Sequence, residues 1–301
     1  MAILVTGAAG FIGSYFLNEA LGKGEDVVAY DINPPDPRLV GPINKLTVVR
    51  GDILNLKEIS RTIKDYGIKE IVHLASLLTS PSQKDPMKAI DVNIKGTLSV
   101  LEASRLSGID RIVFASSQAV YGHTAEQPID EDHPKNPCTI YGISKLASEL
   151  LGMNYNELYG MRFIALRFPL VYGVGKTRGF NVIEQLIESG SATVRGDQKY
   201  EPLYVKDAAR ALFLALRAQG IKHHVFNIGS GQMLSLWEMV GIIKKFVPIA
   251  SIKIEAGRDL SYCTRGPLNC ERARRELLFE PVYDFERGVE DYLIMLNRRS
   301  G

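Results

Sequence analysis

The chain has 301 residues, enough for one large domain or two lobes, with 46% hydrophobic and 23% charged residues, as in an ordinary soluble globular protein. Its formal net charge of +2 gives no electrostatic case for nucleic acid or for an anionic membrane surface. Three cysteines without a Cys-x-x-Cys pair, Cys138, Cys263 and Cys270, fit a reduced cytoplasmic setting better than a zinc site, so no metal is expected.

A strand is predicted at Ala2-Ile-Leu-Val5, which leaves no room for a signal peptide. It runs directly into Thr6-Gly-Ala-Ala-Gly-Phe-Ile-Gly13. Glycines at 7, 10 and 13 permit a tight strand-to-helix turn whose backbone N–H groups can face a pyrophosphate at the positive end of the helix. A second strand, Asp26-Val-Val-Ala-Tyr30, ends beside Asp31. A carboxylate there accepts hydrogen bonds from an adenosine ribose and repels a 2′-phosphate, so NAD is expected over NADP, Arg38 being the one nearby cation that could soften the choice. Further strands are predicted at Leu46-Thr-Val-Val49, Ile71-Val-His-Leu74 and Arg111-Ile-Val-Phe114. Asn55 to Glu58 reads as a capping box, and Asp85-Pro86 opens a helical stretch that ends near Ser107-Gly108. Alternating strands and helices imply a Rossmann-type, doubly wound parallel sheet.

Tyr141-Gly-Ile-Ser-Lys145 places a phenol and an ammonium one helical turn apart. The ammonium favours phenolate, which would make Tyr141 a proton acceptor for the oxidation of an alcohol. The same spacing recurs at Tyr172 and Lys176, but Gly-Val-Gly separates that pair, so no helix is expected there and Tyr172 is read as lining a cleft. Later segments predict helices at about 181–188 and 205–218, a strand at Phe226-Asn-Ile-Gly229, and a capping box at Ser235 to Glu238. The expected layout is an NAD-binding domain of residues 1–167 plus about 202–229, with a smaller substrate-binding lobe of 168–201 plus 230–301.

With Arg111-Ile-Val-Phe-Ala-Ser-Ser-Gln-Ala-Val-Tyr-Gly122, Gly51-Asp52-Ile53, His73-Leu-Ala-Ser76, Asn93 and Asn227-Ile-Gly-Ser-Gly231, the chain resembles the extended short-chain dehydrogenase/reductase family over essentially its whole length. That family contains NAD-dependent nucleotide-sugar epimerases, dehydratases and related dehydrogenases. The resemblance implies Tyr141 as base, Lys145 as its partner on the nicotinamide ribose, and Ser117 on the substrate oxygen. It also implies Phe11, Ile12, Asp52, Ile53, Leu74, Ala75, Asn93, Ser116 and Phe168 along the NAD groove. Sugar dehydratases carry an acidic pair after the serine, where this chain has Gln118 and Ala119. Nucleotide-sugar epimerases usually have an asparagine where Leu170 stands and an arginine where Tyr200 stands.

The loop from His73 to Pro86 is similar to that of short-chain-type L-threonine 3-dehydrogenases, which puts Thr79 and Ser80, with Gln118, Leu170 and Phe180, on the substrate side. The resulting expectation is an NAD-dependent dehydrogenase of a small polar alcohol, L-threonine first, with a sugar-nucleotide 4-epimerase as the alternative. Relatives often pair through helices corresponding to 86–107 and 144–159, where Leu98, Leu101, Leu150 and Leu151 suit a homodimer interface or the core.

Overall fold

The computed structural model describes residues 2–40, 45–124, 127–176, 181–196, 198–256 and 263–300. Seven strands build its main sheet: β1 (Ala2–Thr6), β2 (Asp26–Asp31), β3 (Leu46–Arg50), β4 (Ile68–His73), β5 (Arg111–Ser117), β6 (Arg162–Phe168) and, much later in the chain, β11 (Val225–Asn227). Every pairing is parallel, and the order is β11-β6-β5-β4-β1-β2-β3. The chain therefore winds outward in both directions from β1, and the crevice beyond the carboxyl ends of β1 and β4 is the switch point where ligands settle in such sheets. Register places Thr6 beside His73 there.

Apolar runs in the inner strands are buried on both faces, as a covered parallel sheet requires. On one face α1 (Phe11–Gly22) and α8 (Val205–Arg217) pack Phe16, Leu17, Ala208 and Leu212 against Ile3 and Val5. On the other, α2 (Leu56–Asp65), α5 (Gly96–Leu106) and α6 (Ile140–Tyr159) contribute Ile59, Ile63, Val100, Leu101 and Tyr155 against Leu4 and Ile71. Each such aliphatic side chain taken from water contributes roughly 1.5–3 kcal/mol.

The stretch between β4 and β5 departs from one long helix. Asp85 caps it by accepting from the Lys88 N–H at 3.0 Å, but it divides into α3 (Thr79–Lys84), α4 (Pro86–Ala89), a π-helical turn over Ile90–Lys95, and α5. The wider turn points Asn93 inward, where it is 2% exposed.

Beyond β6 the chain makes short paired strands: β7 (Leu170–Tyr172), β8 (Ser191–Arg195), β9 (Lys199–Tyr200), β10 (Pro202–Tyr204), β12 (Leu234–Ser235) and β13 (Ser251–Glu255). These join as β10 with β7, β12 with β9, and β13 with β8. Helices α7 (Val182–Glu188), α9 (Leu236–Ile243), α10 (Glu271–Leu277) and α11 (Phe285–Ser300) complete the chain. Ser235 and Glu238 form the reciprocal capping box read from the sequence, whereas at α2 the Asn55 side chain accepts from the Glu58 N–H. Among the described residues no helix is long and apolar enough to cross a membrane.

Candidate active site

Gly7 follows β1 with φ +71, and a Cβ there would lie 2.5 Å from the Ala75 nitrogen in the loop after β4. A Cβ on Gly13 would lie 2.3 Å from the Gly7 carbonyl oxygen. Only glycine permits so tight a turn. Gly10 caps α1 without a side-chain acceptor, so the cap leaves the first-turn N–H groups of Phe11, Ile12 and Gly13 for a ligand. Asp31 steadies the same turn, accepting from the Ala9 N–H at 3.1 Å and from the Asn33 N–H at 3.0 Å. Arg38 forks onto Asp36, 2.8 Å away, so its charge is engaged there rather than on Asp31.

Along the remaining groove, Asp52 accepts from the Leu54 N–H at 2.9 Å, and the Ile53 side chain fills the space beside Gly96. Leu74 donates its N–H to the Thr6 carbonyl at 3.0 Å, which joins the two strand ends at the switch point. Phe168 ends β6 at 3% exposure, in register with Ser117. The Asn93 amide is engaged on both sides: it accepts from the Leu77 N–H at 2.7 Å and donates to the Leu77 carbonyl at 3.1 Å and to Ser144 at 2.9 Å. A glycine turn that admits no side chain, uncapped helical donors and a carboxylate at the end of β2 together fit a dinucleotide.

Ser117, Tyr141 and Lys145 converge beside this groove. Ser117 ends β5; its hydroxyl accepts from the Ala119 N–H at 3.1 Å, capping a 3-10 turn over Gln118–Tyr121, and is hydrogen-bonded to the Tyr141 hydroxyl. Thr139 starts α6 by accepting from the Gly142 N–H at 3.0 Å, which sets where Tyr141 and Lys145 point. Lys145 is 2% exposed, donates to the Ala115 carbonyl at 2.7 Å and stands 5.6 Å from the Tyr141 ring centroid.

Burial pushes Lys145 down to about 7, with Glu149 pulling the other way. Burial pushes the Tyr141 phenol up to about 12, against the Ser117 hydrogen bond. The spacing alone predicts an acidified phenol. Desolvation outweighs that effect here, because the ammonium spends a hydrogen bond on backbone rather than on the phenol.

His73 lies beneath the pair, 1% exposed, bonded to Thr6 at 2.6 Å and to Thr97 at 3.0 Å. Burial, then Lys145, pushes it down to about 3, so it stays neutral while knitting β1, β4 and α5 together.

Of the residues expected on the substrate side, Thr79 opens α3 half-buried, Ser80 is exposed, and Gln118 and Leu170 are half-buried on the 3-10 turn and at the start of β7. Phe180 lies outside the described residues. Tyr200 is 4% exposed and donates to Gln198 at 2.8 Å. Tyr172 does not line a cleft: it is 1% exposed, packs on Tyr204 and Phe285, and sits on a strand, so the second Tyr-x-x-x-Lys is not a helical pair.

The cysteines also differ from expectation. Cys138, just before α6, is bonded to Cys263 across 125 residues, which leaves Cys270 as the free thiol. His123 lies against them, accepting from the Thr264 N–H at 3.2 Å, but in the bonded form the two sulfurs offer no thiolate to a cation.

A parallel sheet wound about a switch point, a glycine turn and a Ser-Tyr-Lys cluster define a Rossmann-type NAD enzyme. The chain belongs to the NAD dependent epimerase/dehydratase family, whose family model matches residues 3–229. It is 35% identical over 299 residues, 96% of each chain, to a putative UDP-glucose 4-epimerase of Methanocaldococcus jannaschii. It is 32% identical over 313 residues, 94% of this chain and 93% of the other, to a UDP-glucose 4-epimerase of Lacticaseibacillus casei. Among solved structures, MoeE5 in complex with UDP-glucuronic acid and NAD superposes with a TM-score of 0.89 at 30% identity, covering 99% of both chains. The L-threonine dehydrogenase of Clostridium difficile shares the fold, at 23% identity over 99% of this chain and 98% of that one, with a TM-score of 0.87.

Proposed function

We propose that the chain is an NAD-dependent nucleotide-sugar 4-epimerase of the UDP-glucose/UDP-galactose type. The observation that carries this reading is kinship over nearly the whole chain with UDP-glucose 4-epimerases. It reverses the sequence-based order, which ranked L-threonine first on the His73–Pro86 loop and the departures at Leu170 and Tyr200; the threonine enzyme is related here by fold alone. Gln118 and Ala119 in place of an acidic pair argue against dehydration. Leu170 and Tyr200 remain departures on the substrate side, so a diphosphate would have to be gripped from other positions than those two.

Gly7, Gly10 and Gly13 would hold the NAD pyrophosphate, Asp31 the adenosine ribose, Asp52 and Ile53 the adenine, and Lys145 the nicotinamide ribose. When bound, NAD supplies a hydride acceptor and a positive charge that makes the nearby phenol more acidic. Tyr141 takes the proton of the sugar 4-hydroxyl at its phenolic oxygen and later returns it, while Ser117 orients that oxygen through its hydroxyl. Water exclusion around the buried Lys145 strengthens these interactions. Residues 1–167 with about 202–229 are the NAD domain in this reading, and 168–201 with 230–301 the sugar lobe.

Leu98, Leu106, Leu150 and Leu158 are 37%, 63%, 62% and 61% exposed on α5 and α6, whereas Leu101 is 1% exposed and belongs to the core. We infer a homodimer through these two helices, to be checked by light scattering and by Leu150→Glu, which should yield monomers.

The function is tested by a panel with NAD present, containing UDP-glucose, UDP-galactose or L-threonine. Interconversion of the two sugars with no accumulation of free NADH is expected. NADH released with L-threonine and no sugar interconversion would overturn the proposal.

A further inference from the structure

The base assigned above sits at a weak place in its helix. Tyr141 is the second residue of α6. The N–H groups of a first turn have no partner inside the helix, and helix ends fray there. A displacement of about 1 Å at a reacting group can cost about 10²-fold in rate. What keeps this turn closed therefore bears on the chemistry.

Thr139 supplies part of the closure, accepting from the Gly142 N–H through its hydroxyl at 3.0 Å and from the Ile143 N–H through its carbonyl at 2.9 Å. Ser144 donates to the Tyr141 carbonyl at 2.8 Å. A further hold comes from another helix. Gln83, on the last turn of α3, accepts from the Ile140 N–H at 2.7 Å, although the two are 57 residues apart in the chain. α3 is itself anchored, because Ser82 donates to the Leu77 carbonyl at 3.2 Å and Leu77 is bonded to Asn93, which reaches Ser144. Two routes thus join α3 to the first turn of α6. One is buried, through Asn93 and Ser144; the other is at the surface, through Gln83.

Gln83 is exposed, so water would serve the Ile140 N–H nearly as well and the bond adds little to stability. Its effect is geometric. A Cβ on Gly142 would lie 2.5 Å from the Ala119 carbonyl oxygen, so the first turn is packed against the 3-10 turn that follows Ser117. It has room to move only away from that turn. Gln83 opposes this movement by tying Ile140 to α3, whereas a water molecule in its place would not.

We propose that Gln83 is a positioning residue: from α3 it holds the first turn of α6 closed and so keeps Tyr141 in place for its proton transfer. The consequence for turnover rests on Tyr141 acting as the base assigned above.

The test compares NAD-loaded wild type with Gln83→Leu, Gln83→Glu and, as a control on the same turn of α3, Lys84→Ala. Leucine keeps the bulk without an acceptor. Glutamate keeps an acceptor, and its charge is favoured at the positive end of α6. One readout is amide hydrogen exchange along α6 with no substrate present. The other is kcat and KM for UDP-glucose/UDP-galactose interconversion.

In Gln83→Leu the amides of residues 140–144 should exchange up to about tenfold faster, with the rest of α6 unchanged. Its kcat should fall about three- to tenfold, the scale of one hydrogen bond, while KM, NAD affinity and Tm stay near wild type. Gln83→Glu and Lys84→Ala should keep wild-type exchange and kcat. Wild-type exchange in Gln83→Leu, or faster exchange with unchanged kcat, would overturn the proposal. So would a loss in Gln83→Glu equal to that in Gln83→Leu, or a lowered Tm with protection lost along the whole of α6, since the bond would then be holding the fold rather than the turn. If no protein turns over UDP sugars but exchange changes as described, the substrate reading fails and the hold on the Tyr141 turn stands.

Discussion

Gly7 and Ala75 approach so closely that a single added carbon on Gly7 would fall 2.5 Å from the Ala75 nitrogen, at a backbone φ of +71. The two residues follow β1 and β4 at the switch point, so this contact fixes the width of the cofactor crevice. Gly7→Ala should cost at least about 1–2 kcal/mol from the left-handed backbone alone. It should also abolish measurable NAD binding. Urea denaturation and NAD titration by tyrosine and tryptophan fluorescence check the two parts separately.

Tyr141→Phe keeps the ring and removes the hydroxyl bonded to Ser117. Turnover in the proposed reaction should fall by about 10²–10⁴-fold, the usual contribution of a placed general base. NAD affinity should change little. An active Phe variant would mean that another group takes the substrate proton.

Glu201 is 1% exposed and accepts the N–H groups of Gly231 at 2.8 Å and Leu268 at 2.9 Å. Burial pushes it up to about 7 despite these donors. A raised carboxyl holds its proton in the native state where the unfolded chain, at about 4.3, has lost it. Its contribution is therefore complete below the unfolded value and fades as pH climbs through about 7. Glu201→Gln, neutral throughout, should lose this slope. Urea midpoints should show the variant level with wild type near pH 5 and ahead of it at pH 8, where wild type carries a buried charge.

The Cys138–Cys263 bond closes a loop spanning 125 residues. Loops of that size are stabilised by about 2–5 kcal/mol when cross-linked. Denatured, unreduced protein should therefore expose one reactive thiol, Cys270, and reductant or Cys138→Ser should lower Tm. Three reactive thiols without reductant would exclude the bond.

Much of this was readable in the chain because the signals are local. The glycine turn, Asp31 at the end of β2, and the spacing of Tyr141 and Lys145 each lie within a few residues of one another, and the apolar runs that make the inner strands are continuous. Features set by distant partners were not. Cys138 meets Cys263, and Gln83 meets Ile140, only after the sheet has been wound. Tyr172 reads from its loop context as lining a cleft, yet aromatic packing with Tyr204 and Phe285 draws it into the core. The substrate order is another matter: three short stretches similar to the threonine enzyme, with Leu170 and Tyr200, pointed one way, whereas sequence kinship along nearly the whole chain favours the alternative.

The seventh strand of the sheet, β11, pairs with β6 only after the chain has left to make β7 through β10 and come back. A chimera that swaps the segments beyond β6 for a relative's would thus need several splice points, and a fragment ending at Arg167 would bare the edge of β6. The main sheet and the later short strands are woven through one another, so this chain is better redesigned by point substitution than by exchanging modules.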